Sequence, residues 1–82
     1  MHLEIITPDK SVFDGEVDSA TFPGSKGSFQ VLNNHAPIIS TLQPGKVSYK
    51  KNGAETEMLV NGGIVEVLNN NITLLAEEVT EQ

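Results

Sequence analysis

His35 and Ser40 lie close together in the segment HAPIIS, and a histidine near a serine is the minimum for an activated nucleophile. A hydrolytic site also needs an orienting carboxylate and a geometry that brings all three groups into contact. No signature around His35 or Ser40 places an Asp or Glu beside them. Hydrolysis therefore stands only as a minor alternative, and no catalytic residue is expected. The second histidine, His2, is far from His35, and neither sits at a spacing used by zinc or iron sites. No metal or cofactor is expected. The glycine loop GSKG at 24–27 lacks the Lys-Ser/Thr ending and following helix of a phosphate loop. Gly62-Gly63 lies between two strand-like runs, so both glycine pairs read as turns.

What remains unusual is the run GSKGSFQVLNNHAPII at 24–39. Two glycines bracket Ser25-Lys26 and predict a tight turn. Phe29, Val31 and Leu32 then predict a short strand. Asn33-Asn34 breaks it, because Asn tolerates left-handed geometry. Pro37 holds Ala36 extended and lets Ile38-Ile39 begin the next strand. His35 thus sits on a polar corner between two apolar segments. Two roles suit it: a ring bonded to a neighbouring backbone group, or a contact for another protein.

The chain has 82 residues, and a domain of this size buries only about 60–65% of its unfolded surface. With no cysteine, nothing but the apolar core or a partner stabilises it. Five lysines, no arginine and eleven carboxylates give a net charge of −6. Arginine is the usual bidentate phosphate ligand, and an acidic surface repels polyanions. Neither nucleic acid nor inserted lipid is an expected partner. No signal peptide or transmembrane run is visible, which makes a soluble protein facing the cytoplasm the expectation. Asn71-Ile72-Thr73 matches a glycosylation acceptor but reads as strand sequence.

Short strands separated by turn residues make up the whole chain. Residues 2–6, 11–14 and 16–22 read as the first three, with Gly15 stopping the second and Pro23-Gly24 the third. Residues 37–42 follow the corner, and Pro44-Gly45 is expected to turn the chain back. The run at 46–50 alternates, with Val47 and Tyr49 on one face and lysines and Ser48 on the other. Asn52-Gly53 is the strongest hairpin signal. It leads into 55–60, a turn at Asn61-Gly62-Gly63, and a strand at 64–68. A third turn at Asn69-Asn70-Asn71 precedes 72–76, whose apolar residues predict a central strand covered on both faces. Residues 77–82 read as an edge strand or a frayed end. This pattern predicts one all-β domain over 1–82, a sandwich or barrel.

Four stretches in order resemble one family. They are HLEIITPDKSVFDG, GSKGSFQVLNNHAPI, LQPGKV and GGIVEVLNNNITLLAEE, running from His2 to Glu78. Together they are similar to the N-terminal β-sandwich domain of the epsilon subunit of F-type ATP synthase, called delta in mitochondria. The resemblance implies a flattened sandwich of two mostly antiparallel sheets. It implies a non-catalytic piece of the central stalk that binds the gamma subunit and rests on the c-ring, coupling proton- or sodium-driven rotation to the catalytic head. It places gamma contacts at Thr7, His35 and Ser40, and c-ring contacts at Lys26, Gly27 and Ser28. Many relatives carry Glu where this chain has Ser28, so Lys26 becomes the charge available to a ring carboxylate. The location implied is the cytoplasmic face of the plasma membrane. Most relatives continue into a helical hairpin after the Leu-Ala-Glu strand. This sequence stops at Gln82, so hairpin-based inhibition and ATP binding are not expected of it. The alternative reading is a stand-alone β-sandwich that binds a sugar or peptide. Such sites expose aromatic platforms, and only Phe13, Phe22, Phe29 and Tyr49 are available, with the phenylalanines expected in the core.

Overall fold

Asn52 and Gly53 both adopt positive φ, 52° and 81°, as a tight type I′ turn requires. In this computed structural model, which describes residues 1–81, that turn joins the two longest strands. In chain order the strands are β1 His2–Ile6, β2 Ser11–Glu16, β3 Ser19–Gly24, β4 Gly27–Leu32, β5 Ile38–Lys51, β6 Ala54–Leu68, β7 Asn71–Ala76 and β8 Val79–Glu81. The short β8 matches the expected edge strand; Gln82, the last residue of that segment, lies outside the described residues.

Two expected turns are absent. Pro44-Gly45 and Asn61-Gly62-Gly63 lie opposite each other in the middle of one continuous β5–β6 hairpin. A single register runs from Lys51↔Ala54 to Ile38↔Val67, with only the step between Pro44↔Asn61 and Leu42↔Gly63 left unpaired. Proline removes one donor, and Gly62 and Gly63 take φ values of 87° and 154°. Because both strands carry their breakers at the same register, the ladder bends and continues. The hairpin therefore crosses from one sheet to the other. Its open-end half joins β7, β1 and β2, and its turn-end half joins β3, β4 and β8. The order β2-β1-β7-β6-β5-β3-β4 is antiparallel throughout except for the parallel β1–β7 pair. Folded over at the bend, it makes the flattened two-layer sandwich that the resemblance implies.

Other breakers are absorbed in the same way. Gly15 pairs with Leu3 inside β2 and stops nothing. Pro23 and Gly24 pair with Ser28 and Gly27 and remain part of β3. The run expected at 16–22 is divided, because Val17 and Asp18 cross between layers. Their amides donate to Met1 O at 2.9 Å and Lys50 O at 2.7 Å.

The layers enclose Leu3 and Ile5 of β1, Phe22 of β3, Val47 of β5, Met58 of β6, and Ile72 and Leu74 of β7. Full burial of each large side chain contributes roughly 1.5–3 kcal/mol. Contrary to expectation, β7 is covered on one face only. Ile72, Leu74 and Ala76 are buried, but Leu75 is 51% exposed. An apolar residue on the outward register of a strand cannot be told from a buried one by type alone.

At the edge of the first layer, His2 faces Glu16 across β1 and β2. Its Nδ1 lies 2.9 Å from Glu16 Oε2, and its Nε2 is hydrogen-bonded to Asp14. Both ring nitrogens can donate only in the imidazolium form. The bond to Glu16, and then that to Asp14, raises the His2 pKa above its ordinary 6.5. In return His2 holds the Glu16 carboxyl below its ordinary 4.5. The His2 contribution is complete below pH 6.5 and is lost as pH rises through the raised folded value. The Glu16 contribution is present above 4.5 and is lost as pH falls through the lowered folded value.

Two outcomes follow for stability. A Cβ at Gly63 would press into the backbone carbonyl of Leu75 at a φ that side chains rarely adopt. Gly63→Ala should cost about 2–4 kcal/mol and lower Tm by about 10 °C or more; an unchanged Tm would show that the bend does not need this glycine. Between about pH 6 and pH 8, Tm of the native chain should fall relative to that of His2→Gln. Parallel curves for the two proteins would remove the His2 bridge from the stability account.

Candidate functional site

The glycine loop between β3 and β4 is tied to the start of β5. Ser25 N donates to Thr41 O at 3.0 Å, and the hydroxyls of Ser25 and Thr41 lie 2.9 Å apart. Ser40 Oγ also donates to Thr41 O, at 3.0 Å, so this carbonyl has two donors. Gly27, at φ 130°, returns the chain into β4. Between the loop and residues 38–41 lies an open groove of about 640 Å³. Lys26, Gly27, Ser28 and Ser40, assigned by the resemblance to two different partners, all line this one groove. Phe29 and Ile38 are half-buried at its base, and Phe29 packs on Phe22 with ring centroids 5.7 Å apart. Lys26 is the one charged side chain in the lining.

His35 stands apart from the groove. Its backbone N–H donates to Leu32 O at 3.1 Å, closing the Asn33-Asn34 turn, where Asn34 takes φ 64°. The corner is stapled to the β6–β7 turn. Asn34 N donates to Asn70 Oδ1 at 2.8 Å, and Asn70 Nδ2 donates to Asn33 Oδ1 at 2.8 Å. The ring Nδ1 lies 2.7 Å from Ala36 O, and a carbonyl only accepts, so Nδ1 carries the proton. This is the backbone-bonded ring of the first reading of His35, and it leaves Nε2 without a hydrogen-bond partner among the described residues. Ser40 and His35 thus each bond to a neighbouring carbonyl, and no hydrolytic triad is assembled from them.

Thr7 is at the opposite end of the first layer. Its Oγ1 accepts from Lys10 N at 3.3 Å and, with Thr7 N donating to Lys10 O at 2.9 Å, closes the β1–β2 turn. The three expected gamma contacts therefore do not form one cluster. A row of directly paired residues, Thr41, Ile64, Leu75 and Ile6, crosses the layer from the neighbour of Ser40 to the neighbour of Thr7. Four strands at about 4.8 Å spacing make this row about 15 Å long.

That row belongs to a surface the sequence reading missed. Ile39, Ile64, Leu68 and Leu75 are 72%, 47%, 47% and 51% exposed, and all face outward on the same layer. A second row, Ile39, Glu66, Thr73, Glu4 and Asp14, sets carboxylates beside them. The outer face of the other layer is mixed: Leu32 and Leu59 are 54% and 41% exposed there, separated by polar residues that include Lys46 and Glu57 in an ion pair at 3.1 Å. The alternation around Val65 and Val67 was the available signal, but it tells only that two faces differ, not that one lacks a cover. The aromatics give no platform for a sugar. Phe22 and Tyr49 are buried, and Phe13 stacks on Tyr49 with centroids 4.4 Å apart.

Comparison with known proteins accords with this geometry. The family model described as ATP synthase, Delta/Epsilon chain, beta-sandwich domain matches residues 1–82. An ATP synthase epsilon chain of Maricaulis maris (strain MCS10) is 40% identical over 78 residues, covering 95% of this chain and 59% of that protein. The ATP synthase epsilon chain of Nitratidesulfovibrio vulgaris (strain DP4) is 47% identical over 77 residues, covering 94% and 58%. The chain thus spans about three fifths of the length of these relatives. In fold it is similar to a chain of the Euglena gracilis mitochondrial ATP synthase, with TM-score 0.91, 21% identity, and coverage of 96% of this chain and 51% of that one. A chain in the central stalk/c-ring structure of the Tetrahymena thermophila mitochondrial ATP synthase gives TM-score 0.83 at 20% identity, covering 98% and 65%. With the whole sequence matched and the sandwich reproduced, the chain belongs to the ATP synthase delta/epsilon β-sandwich domain family.

Proposed function

We propose that the chain is a non-catalytic coupling piece of an F-type ATP synthase, held between the gamma subunit and the c-ring at the cytoplasmic face of the plasma membrane. The observation that carries this reading is the uncovered apolar face of the first layer. Four exposed aliphatics on one sheet face are more than a free-standing domain needs, and they suit a protein interface with a polar rim. Thr7, His35 and Ser40 stand around that face and are the contacts for gamma. Lys26, Gly27 and Ser28 project from the groove's other wall and are the contacts for the ring. The names of the relatives and the source of the Tetrahymena neighbour support this assembly.

The mechanical part follows from the build. Passing torque from ring to shaft needs a body that does not shear, and interiors packed at crystal-like density transmit strain. The β5–β6 hairpin belongs to both layers, so a force on one is carried into the other through a single ladder. Coupling in this reading requires no bond to be made or broken by the chain itself.

His35→Ala combined with Ser40→Arg should weaken capture of the purified gamma subunit by about tenfold or more, since it removes one contact and places a charged side chain at another. Unchanged affinity, with the same circular dichroism spectrum as the native chain, would overturn the assignment of this edge to gamma.

A further inference from the structure

The sandwich is not closed. Among the described residues, β4 pairs only with β3, and residues 38–40 of β5 pair on one side only, with β6. The groove described above is the gap between these two strand edges. We propose that it accepts an extended, carboxylate-bearing peptide segment, which adds as a strand to the Ile39 edge of β5 and places its carboxylate on Lys26. This inference rests on the reading that the glycine loop and Ser40 form a subunit contact, and it specifies how that contact is made.

The backbone supplies the first reason. Thr41 O points away from β6, because it accepts from Ser25 N. In an antiparallel strand the lateral groups alternate residue by residue, so the N–H and C=O of Ile39 point the same way, into the gap. β3 has ended at Gly24, and no described backbone group pairs with them. An open edge of this kind is a template for strand addition.

The side chains supply the second. Phe29 and Ile38 lie against the core but remain half-buried because nothing closes the gap above them. An added strand would cover both. At about 640 Å³ the groove is within the range of clefts that hold ligands, roughly 300–1,000 Å³.

Charge selects the occupant. The chain has eleven carboxylates, yet none lines this groove, and Lys26 forms no ion pair among the described residues. The Ser28 hydroxyl beside it adds a donor, whereas that of Ser40 is already given to Thr41 O. An anionic segment is complementary to this lining. A second copy of this chain is a poorer occupant. Its net charge is −6, and the carboxylates of its free β2 edge, Asp14 and Glu16, are engaged by His2.

The test uses the isotope-labelled chain and the capped peptide Ac-Thr-Val-Glu-Val-Thr-NH2, followed by amide NMR. Binding should shift the amides of Gly27, Ile39 and Ser40 and slow hydrogen exchange at Ile39. Replacing Glu by Gln in the peptide, or Lys26→Ala in the chain, should each weaken binding at least fivefold. A peptide with methylated backbone nitrogens should not bind. No shifts at millimolar peptide, equal binding of the Gln or methylated peptides, or shifts confined to the outer face of the first layer would overturn the proposal. Tighter binding to Lys26→Ala would overturn it too, by making Lys26 a guard that keeps strands off the edge. Concentration-dependent dimerisation that blocks the same amides would assign the edge to self-association. Gamma capture that persists in any of these cases leaves the coupling reading standing while the strand-addition mode falls.

Discussion

The structure depends on a bend made in two strands at once. β5 and β6 each carry residues that ordinarily end strands, and they carry them opposite one another. A proline or a pair of glycines in one strand alone would leave its partner with unmatched donors and acceptors. Placed face to face, they lose a single ladder step and change direction together. Gly63 lies so close to Leu75 that no side chain fits there, and Pro23 packs over Gly45 on the other side. Everything else attaches to one half of this hairpin or the other. The parallel β1–β7 pair completes one layer, and the β3–β4 hairpin completes the second.

The bend also creates both candidate binding surfaces. By sending the first part of β5 into one layer and the last part into the other, it leaves residues 38–40 without a paired strand on one side among the described residues. The seam there opens toward the interior and becomes the groove beside the glycine loop. The same split sets Ile64, Leu68 and Leu75 on the outside of a layer that no described element covers. In a small domain with so little core, this outward aliphatic face is the feature on which the proposed subunit contact rests. The His2 bridge to Asp14 and Glu16 and the asparagine staple between the two turns hold the rim of this layer in shape, using hydrogen bonds where the core does not reach.

Local geometry was legible wherever a residue's own backbone preference decides it. Asn52-Gly53 reads as a tight hairpin, and Asn34, Asn69 and Asn70 take the left-handed conformation that marks their turns. The class of the fold was legible for the same reason, since many short β-prone runs with turn chemistry between them admit few arrangements. The resemblance to the delta/epsilon family was legible because its motifs are these same turns in fixed order, and the family match over the whole chain bears it out.

The sequence by itself therefore determined which runs are extended, the asparagine turns, the acidic composition and the family, but not where every strand begins and ends. Only the tertiary structure decided that Pro44-Gly45 and Asn61-Gly62-Gly63 bend a hairpin instead of ending strands, because that outcome depends on what lies across the ladder. Only the tertiary structure decided which aliphatics are buried, because alternation marks two faces without saying which of them meets another layer. It alone gathered Lys26, Gly27, Ser28 and Ser40 around one gap and set His35 and Thr7 at separate ends of a sheet. Proximity across strands is a property of register, and register is chosen by the packing of the whole core, not by any one segment.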